Sequence, residues 1–204
     1  PPGKASTATQ PDWLIALRAR ALERVSALTL PSTHDEAWRF TSLTAFARQS
    51  FHPLRTPTHV QPADIAHLHI DEATTRLVFV DGVHAPLLSS VNLDARLAVG
   101  TLPAMLAKQA ATLQGHLGQH AASGDGLFSA LNTAFLQDAA VLVVPGDTVL
   151  AAPVHLLFVS TQPDVASHPR LLLVVGAGSE ATVIEDYVAL HEGTYFTNTV
   201  AEVA

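Results

Sequence analysis

The sequence contains no cysteine in 204 residues. That excludes a disulfide framework, a thiolate zinc site and a cysteine-ligated iron–sulfur cluster within this chain. The absence agrees with a reducing cytoplasm, the expected compartment. Charge is also scarce, with 14% charged residues against 48% hydrophobic ones. A disordered chain has the opposite balance, so this one folds. The 11 Lys and Arg face 18 Asp and Glu, a formal charge of −7. A protein that neutralises phosphates needs a basic face, so no nucleic-acid partner is expected. Apolar runs stay short of the roughly 18 residues of a membrane span, so no membrane association is expected either. The start, PPGKASTATQP, lacks the apolar stretch of a secretory signal and has no Met. It reads as a trimmed product whose residues 1–10 form a flexible tail.

What is present divides the chain in two. Residues 11–138 read as a helical α+β domain. In DWLIALRARALERVSAL, Leu14, Leu17, Ala21, Val25 and Leu28 recur at helical spacing, with Asp12 as N-cap and Pro31 as stop. PSTHDEAWRFTSLTAF predicts a second helix from Ser32 or Thr33, which Trp38 packs against the core. Residues 51–70 read as a Pro- and His-punctuated loop. RLVFVDGVHAPLLS reads as a hairpin turning at Asp81-Gly82. LPAMLAKQAATLQGHLG and GDGLFSALNTAFLQD read as helices, the second burying Leu127, Leu131, Ala134 and Phe135.

Residues 139–204 change character. AAVLVV, APVHLLFVS, RLLLVVG, EATVIEDY and TYFTNTV are five short β-rich runs separated by turn residues, with no helix between them. The choice lies between a sandwich and a β-helix. Near-continuous apolar runs, in strands covered on both faces, favour the β-helix.

Three constellations could carry chemistry. Gly176-x-Gly178-x-x-Ala181 after a strand matches a dinucleotide fingerprint, but TVIEDYV follows where a helix is required. A glycine turn between two strands is expected, and no cofactor. His67 and His69 alternate, and would share a face on a strand. His116 and His120 have metal-gripping i, i+4 spacing, but Gly115 and Gly118 weaken the helix and no H-E-x-x-H pattern occurs. Exposed or hydrogen-bonded histidines near a helix end are expected. Carboxylates are sparse after residue 138, and Glu185-Asp186 would point to opposite faces of a strand, which argues against a carbohydrate-active site. No catalytic, cofactor-binding or metal residue is assigned.

Five segments resemble SufD proteins. PSTHDEAWRFTSL (31–43) resembles their opening P…W-R-[YF]-T-x-L segment, and LVFVDGVHAPLLS (77–89) their V-F-V-N-G hairpin. LFSALNTAFLQDAAVLVVPGDTVLAAPVHLLFVS (127–160) resembles their LN-x-AF helix leading into the first β-run. RLLLVVGAGSEATVIEDYVA and YFTNTVAEV resemble later runs, with Glu185 and Asn198-x-Val200-x-Glu202 as closest matches. One departure is Asp138-Ala139, where the family has Asp-Gly; a left-handed turn there must be built differently. The resemblance implies a fold of an α+β N-terminal domain followed by the first rungs of a right-handed parallel β-helix. It implies a non-catalytic scaffold subunit of iron–sulfur cluster assembly, working with a β-helix paralogue (SufB) and an ABC-type ATPase (SufC). It also implies an N-terminal fragment or truncated form, because the family's docking and cluster-proximal positions lie further along. An open last rung would then self-associate. The rival readings are a nucleotide-binding oxidoreductase fragment and a β-helix carbohydrate-active enzyme.

Overall fold

The computed structural model describes residues 10–92, 97–120 and 126–204. The expected tail therefore lies, apart from Gln10, outside the described residues. Helix α1 spans Asp12–Ala27 and buries Leu14 and Ala21. Pro11 occupies the N-cap position assigned to Asp12, which instead becomes the first helical residue. Leu28 is already extended, so the helix ends at Ala27, four residues before Pro31.

The helix expected from Ser32 does not form. The Ser32 backbone N–H and hydroxyl both donate to the Asp35 carboxylate, at 2.7 and 3.2 Å. Only single 3-10 turns follow, at Glu36–Trp38 and Phe46–Arg48. The short helix α2 spans Pro62–Ile65. His67 lies in, and His69 just after, the 3-10 turn Ala66–Leu68, so neither is on a strand.

Strands β1 (Thr75–Val80) and β2 (Val83–His84) form the expected hairpin, pairing Phe79 with His84 and Val80 with Val83. Asp81 and Gly82 have φ of 50° and 84°, the two left-handed residues that a tight hairpin turn requires. Strand β3 (Ala98–Thr101) leads into α3 (Leu102–Leu106) and α4 (Ala110–His116), where one continuous helix was expected. Helix α5 spans Leu127–Ala134. It buries Ala130, Asn132 and Thr133, while Phe135, expected inside, is exposed. Seven strands follow: β4 (Ala140–Val144), β5 (Val154–Ser160), β6 (Ala166–Ser167), β7 (Arg170–Val175), β8 (Val183–Ala189), β9 (Phe196–Thr197) and β10 (Val200–Val203).

These strands build two four-stranded sheets, β2-β1-β5-β8 and β3-β4-β7-β10, and a two-stranded one, β6-β9. The chain visits the three in rotation. Each strand lies parallel to one laid down 29–31 residues earlier: Ala140 opposite Leu171, Val154 opposite Val183, Ala166 opposite Phe196, Arg170 opposite Val200. Residues before 139 supply the layer that starts each stack. Strand β1 runs parallel to β5, β3 antiparallel to β4, and His52 bridges in parallel to Val165 beside β6. The fold is thus mixed α+β, with sheets of mainly parallel strands.

Three apolar layers hold it. Leu77, Phe79, Leu142, Leu156, Phe158 and Leu171 fill the space between the two large sheets. Val78, Val80, Leu157 and Val159 face outward from the first sheet against Ile65 and Leu88. Val141 and Leu172 face outward from the second against Leu14, Leu102, Met105 and Leu113. Strands covered on both faces need apolar residues at every position, which accounts for the unbroken runs in the sequence. Ala139 has no positive φ, so the Asp-to-Ala junction bends without the left-handed residue that glycine would supply.

Candidate functional site

The glycine motif is a turn between strands. Strand β7 ends at Val175, β8 starts at Val183, and no helix intervenes. Gly176 N–H donates to Val144 O at 2.8 Å, and Asp147 N–H to Ala177 O at 2.9 Å. A Cβ on Gly176 would collide with Gly146 N, so two corners lie backbone on backbone. The glycines serve that approach, and no helix N-terminus is formed to hold a pyrophosphate.

The largest polar assembly lies where the helices meet the second sheet. Arg170, 1% exposed, projects from β7, and Glu202, also 1% exposed, from β10. Arg170 Nη2 and Nε donate to Glu202 Oε1 at 2.5 and 3.0 Å. Arg170 Nη1 donates to Asn132 Oδ1 at 2.9 Å. Asn132 Nδ2 donates to Pro169 O and Asn198 O, and Asn198 Nδ2 to Phe128 O. The Gly118 and His120 backbone N–H groups donate to Glu202 Oε1 and Oε2 at 2.9 and 3.0 Å. One ion pair therefore ties α5, the end of α4, β7 and β10 together. Burial lowers the Arg170 pKa and Glu202 opposes that shift. Sequence reading missed this assembly; its one signal is Arg170 standing alone among apolar residues.

The outward face of the first sheet carries a second pair. His155, fully buried on β5, shares a 3.0 Å hydrogen bond between Nε2 and Asp186 Oδ2 on β8. Burial lowers the His155 pKa, against a smaller raising effect of Asp186. His155 Nδ1 and the nearby His69 Nε2 and Arg76 Nε are buried without hydrogen-bond partners. Glu185 faces away from Asp186, as alternation requires, and accepts from Tyr187 Oη. Each carboxylate on β8 and β10 is thus already engaged, which leaves those strands without a free acid/base pair.

Two further titratable groups are perturbed. The Asp138 carboxylate accepts from Leu102 and Ala139 N–H, yet burial raises its pKa to about 6. The His168 ring stacks on Phe135 with centroids 5.2 Å apart, and burial lowers its pKa to about 4. Trp38 is half-buried with its ring 5.3 Å from Phe128, so it packs the 3-10 turn Glu36–Trp38 against α5.

Strands β8 and β10 are sheet edges. Tyr187 and Val203, aligned with Phe158 and Leu173 of the inter-sheet layer, are 42% and 62% exposed. Among the described residues no group of three or more His, Asp or Glu could hold a metal ion, and no helix is long and apolar enough to cross a membrane.

Comparison with known proteins places the chain. The family model described as "SufBD protein N-terminal region" matches residues 4–156. An iron-sulfur cluster assembly SufBD family protein of Synechocystis sp. is 32% identical over 96% of this chain and 45% of its own length. Protein ABCI7, chloroplastic, of Arabidopsis thaliana is 26% identical over 92% of this chain and 40% of its own length. The iron-sulfur cluster assembly protein SufD of Escherichia coli is 27% identical over 86% of this chain and 40% of its own length. The chain thus spans less than half the length of these relatives. On the match to the family model and on these relatives together, the chain belongs to the SufBD family.

Proposed function

We propose that this chain is a non-catalytic scaffold component of iron–sulfur cluster assembly, with residues 139–204 forming the first rungs of a right-handed parallel β-helix. One observation carries the reading: the chain rotates through three sheets and stacks parallel partners 29–31 residues apart. Such a stack grows by adding strands to its edges, and crossovers between parallel strands are right-handed almost without exception. Family membership supports the cluster-assembly role, since relatives bear that description. The partners are a SufB-like β-helix paralogue and a SufC-like ATPase, in the cytoplasm. The chain contributes edge and surface, and no cofactor of its own. Without cysteine it supplies no thiolate to a cluster.

The test is association. Mixed with a SufB-like subunit, the chain should co-elute in size exclusion. A chain that ignores the SufB-like subunit, from a gene whose deletion leaves iron–sulfur enzymes fully active, would overturn the proposal.

A further inference from the structure

His116 closes α4, and His120 lies four residues on, past the end of the helix. They are not successive turns of one helix, yet their rings meet: His116 Nδ1 and His120 Nε2 are 3.3 Å apart. Gly118 makes this possible. Its φ of +77° reverses the chain after the buried Leu117, and a Cβ there would meet Leu17 Cδ1 at 2.8 Å. Glycine is therefore needed twice, for the dihedral and for the space.

The backbone that carries the two rings is pinned. Leu117 N–H bonds Leu113 O at 2.8 Å and Gln119 N–H bonds His116 O at 3.0 Å. Gly118 and His120 N–H are both held by Glu202, itself locked to Arg170. Two imidazole nitrogens bound tetrahedrally to one zinc ion, each at about 2.0–2.1 Å, stand about 3.4 Å apart. The observed separation matches that spacing. In the metal-free protein one ring nitrogen donates a proton to the other. A metal ion replaces that proton, and the two rings, with centroids 5.6 Å apart and planes 20° apart, each tilt to turn their lone pairs onto it.

We propose that His116 and His120 form a two-imidazole site for a divalent transition ion of the Zn2+ class, with water completing the coordination. Pre-organisation distinguishes it from histidines scattered on a surface: the fold fixes both backbones before the ion arrives. Because the pinning carboxylate belongs to the Arg170–Glu202 pair, occupancy also clamps the corner between α4 and β10.

The experiment is titration of the full chain with Zn2+, free of chelators and tags, by calorimetry and by histidine ring NMR. One saturable equivalent should shift the His116 and His120 rings and raise the melting midpoint. The substitutions His116→Ala and His120→Ala should each abolish that equivalent. The His120 backbone N–H that Glu202 holds is untouched by the second, so the corner stays folded, which a melt without metal confirms. His191→Ala, on an exposed loop elsewhere, should leave uptake unchanged. No saturable uptake, or uptake that persists in the double variant His116→Ala/His120→Ala, would overturn the proposal.

Discussion

Two pairs occupy equivalent places in the two large sheets and have opposite surroundings. Arg170 lies opposite Val200 and bonds Glu202 two residues further; His155 lies opposite Ile184 and bonds Asp186 two residues further. Both pairs join consecutive parallel strands diagonally on the outward face. Over the first pair, α5 supplies Asn132 and Thr133 and the turn after α4 supplies two backbone N–H groups, so both ions are buried and satisfied. Over the second, Asp186 keeps a 44% exposed side chain and His155 Nδ1 has no partner. The ladder sets where a cross-strand pair can form. What covers it decides whether the pair organises the fold or decorates it.

The largest effect should come from breaking the covered pair. Arg170→Met or Glu202→Gln leaves a buried charge without its counter-ion and should cost about 3–5 kcal/mol in urea denaturation. The double variant should recover less than half of this, because an amide keeps one acceptor oxygen where the Gly118 and His120 N–H groups use two, and the Asn132 amide oxygen loses its Arg170 donor. Full recovery would mean that the surrounding hydrogen bonds are incidental.

Next come the groups buried with no counter-charge. Asp138, raised to about 6, holds its proton more tightly folded than unfolded. Its contribution is complete below pH about 4 and is lost as pH rises through 6, by about 3 kcal/mol. His168, lowered to about 4, is the reverse. Its contribution is complete above pH about 6.5 and is lost as pH falls towards 4, again by about 3 kcal/mol. The two nearly cancel between pH 4 and 6.5 in the natural chain. His168→Phe should unmask stability that falls with rising pH over that interval, and Asp138→Asn stability that falls with acid. Parallel pH profiles for the two variants would show that neither group is perturbed as its burial implies.

The smallest effect belongs to the half-open pair. Asp186→Asn should cost less than about 1 kcal/mol, since solvent already screens the carboxylate. His155→Leu should be neutral or stabilising, because it removes a buried nitrogen that has no partner. A loss at Asp186 as large as that at Arg170 would erase the distinction between the two faces.

Legibility in the sequence followed the physics of each region. Helix α1, the Asp81-Gly82 hairpin and the apolar runs of β4, β5, β7 and β8 were readable because periodicity and turn chemistry act over a few residues. The start signal at Ser32 is real, since Asp35 accepts from its N–H, but a cap alone does not extend a helix and only single 3-10 turns follow. The buried face of α5 was misread because Asn132 and Thr133 are drawn inward by Arg170, which lies 37–38 residues away in sequence. The strand β6 is two residues long and visible only through its neighbour β9. His116 and His120 had the right spacing, but Gly118 was read as weakening their helix when it is the residue that turns one ring back to the other.

The corners between strands differ in length where the strands do not. Nine residues separate Val144 from Val154, seven separate Val175 from Val183, and register is regained on both sides. The surplus falls after Leu150, whose N–H still bonds Glu180 O, so it lies at Ala151 and Ala152. A loop inserted there would start and finish at fixed ladder bonds and leave the stack unaltered. An insertion at Gly146 or Gly176 would have to pry apart backbones already in contact. Peptide tags, fluorophores or grafted epitopes therefore have a natural attachment point at Ala151-Ala152, and length variation among related chains should gather there.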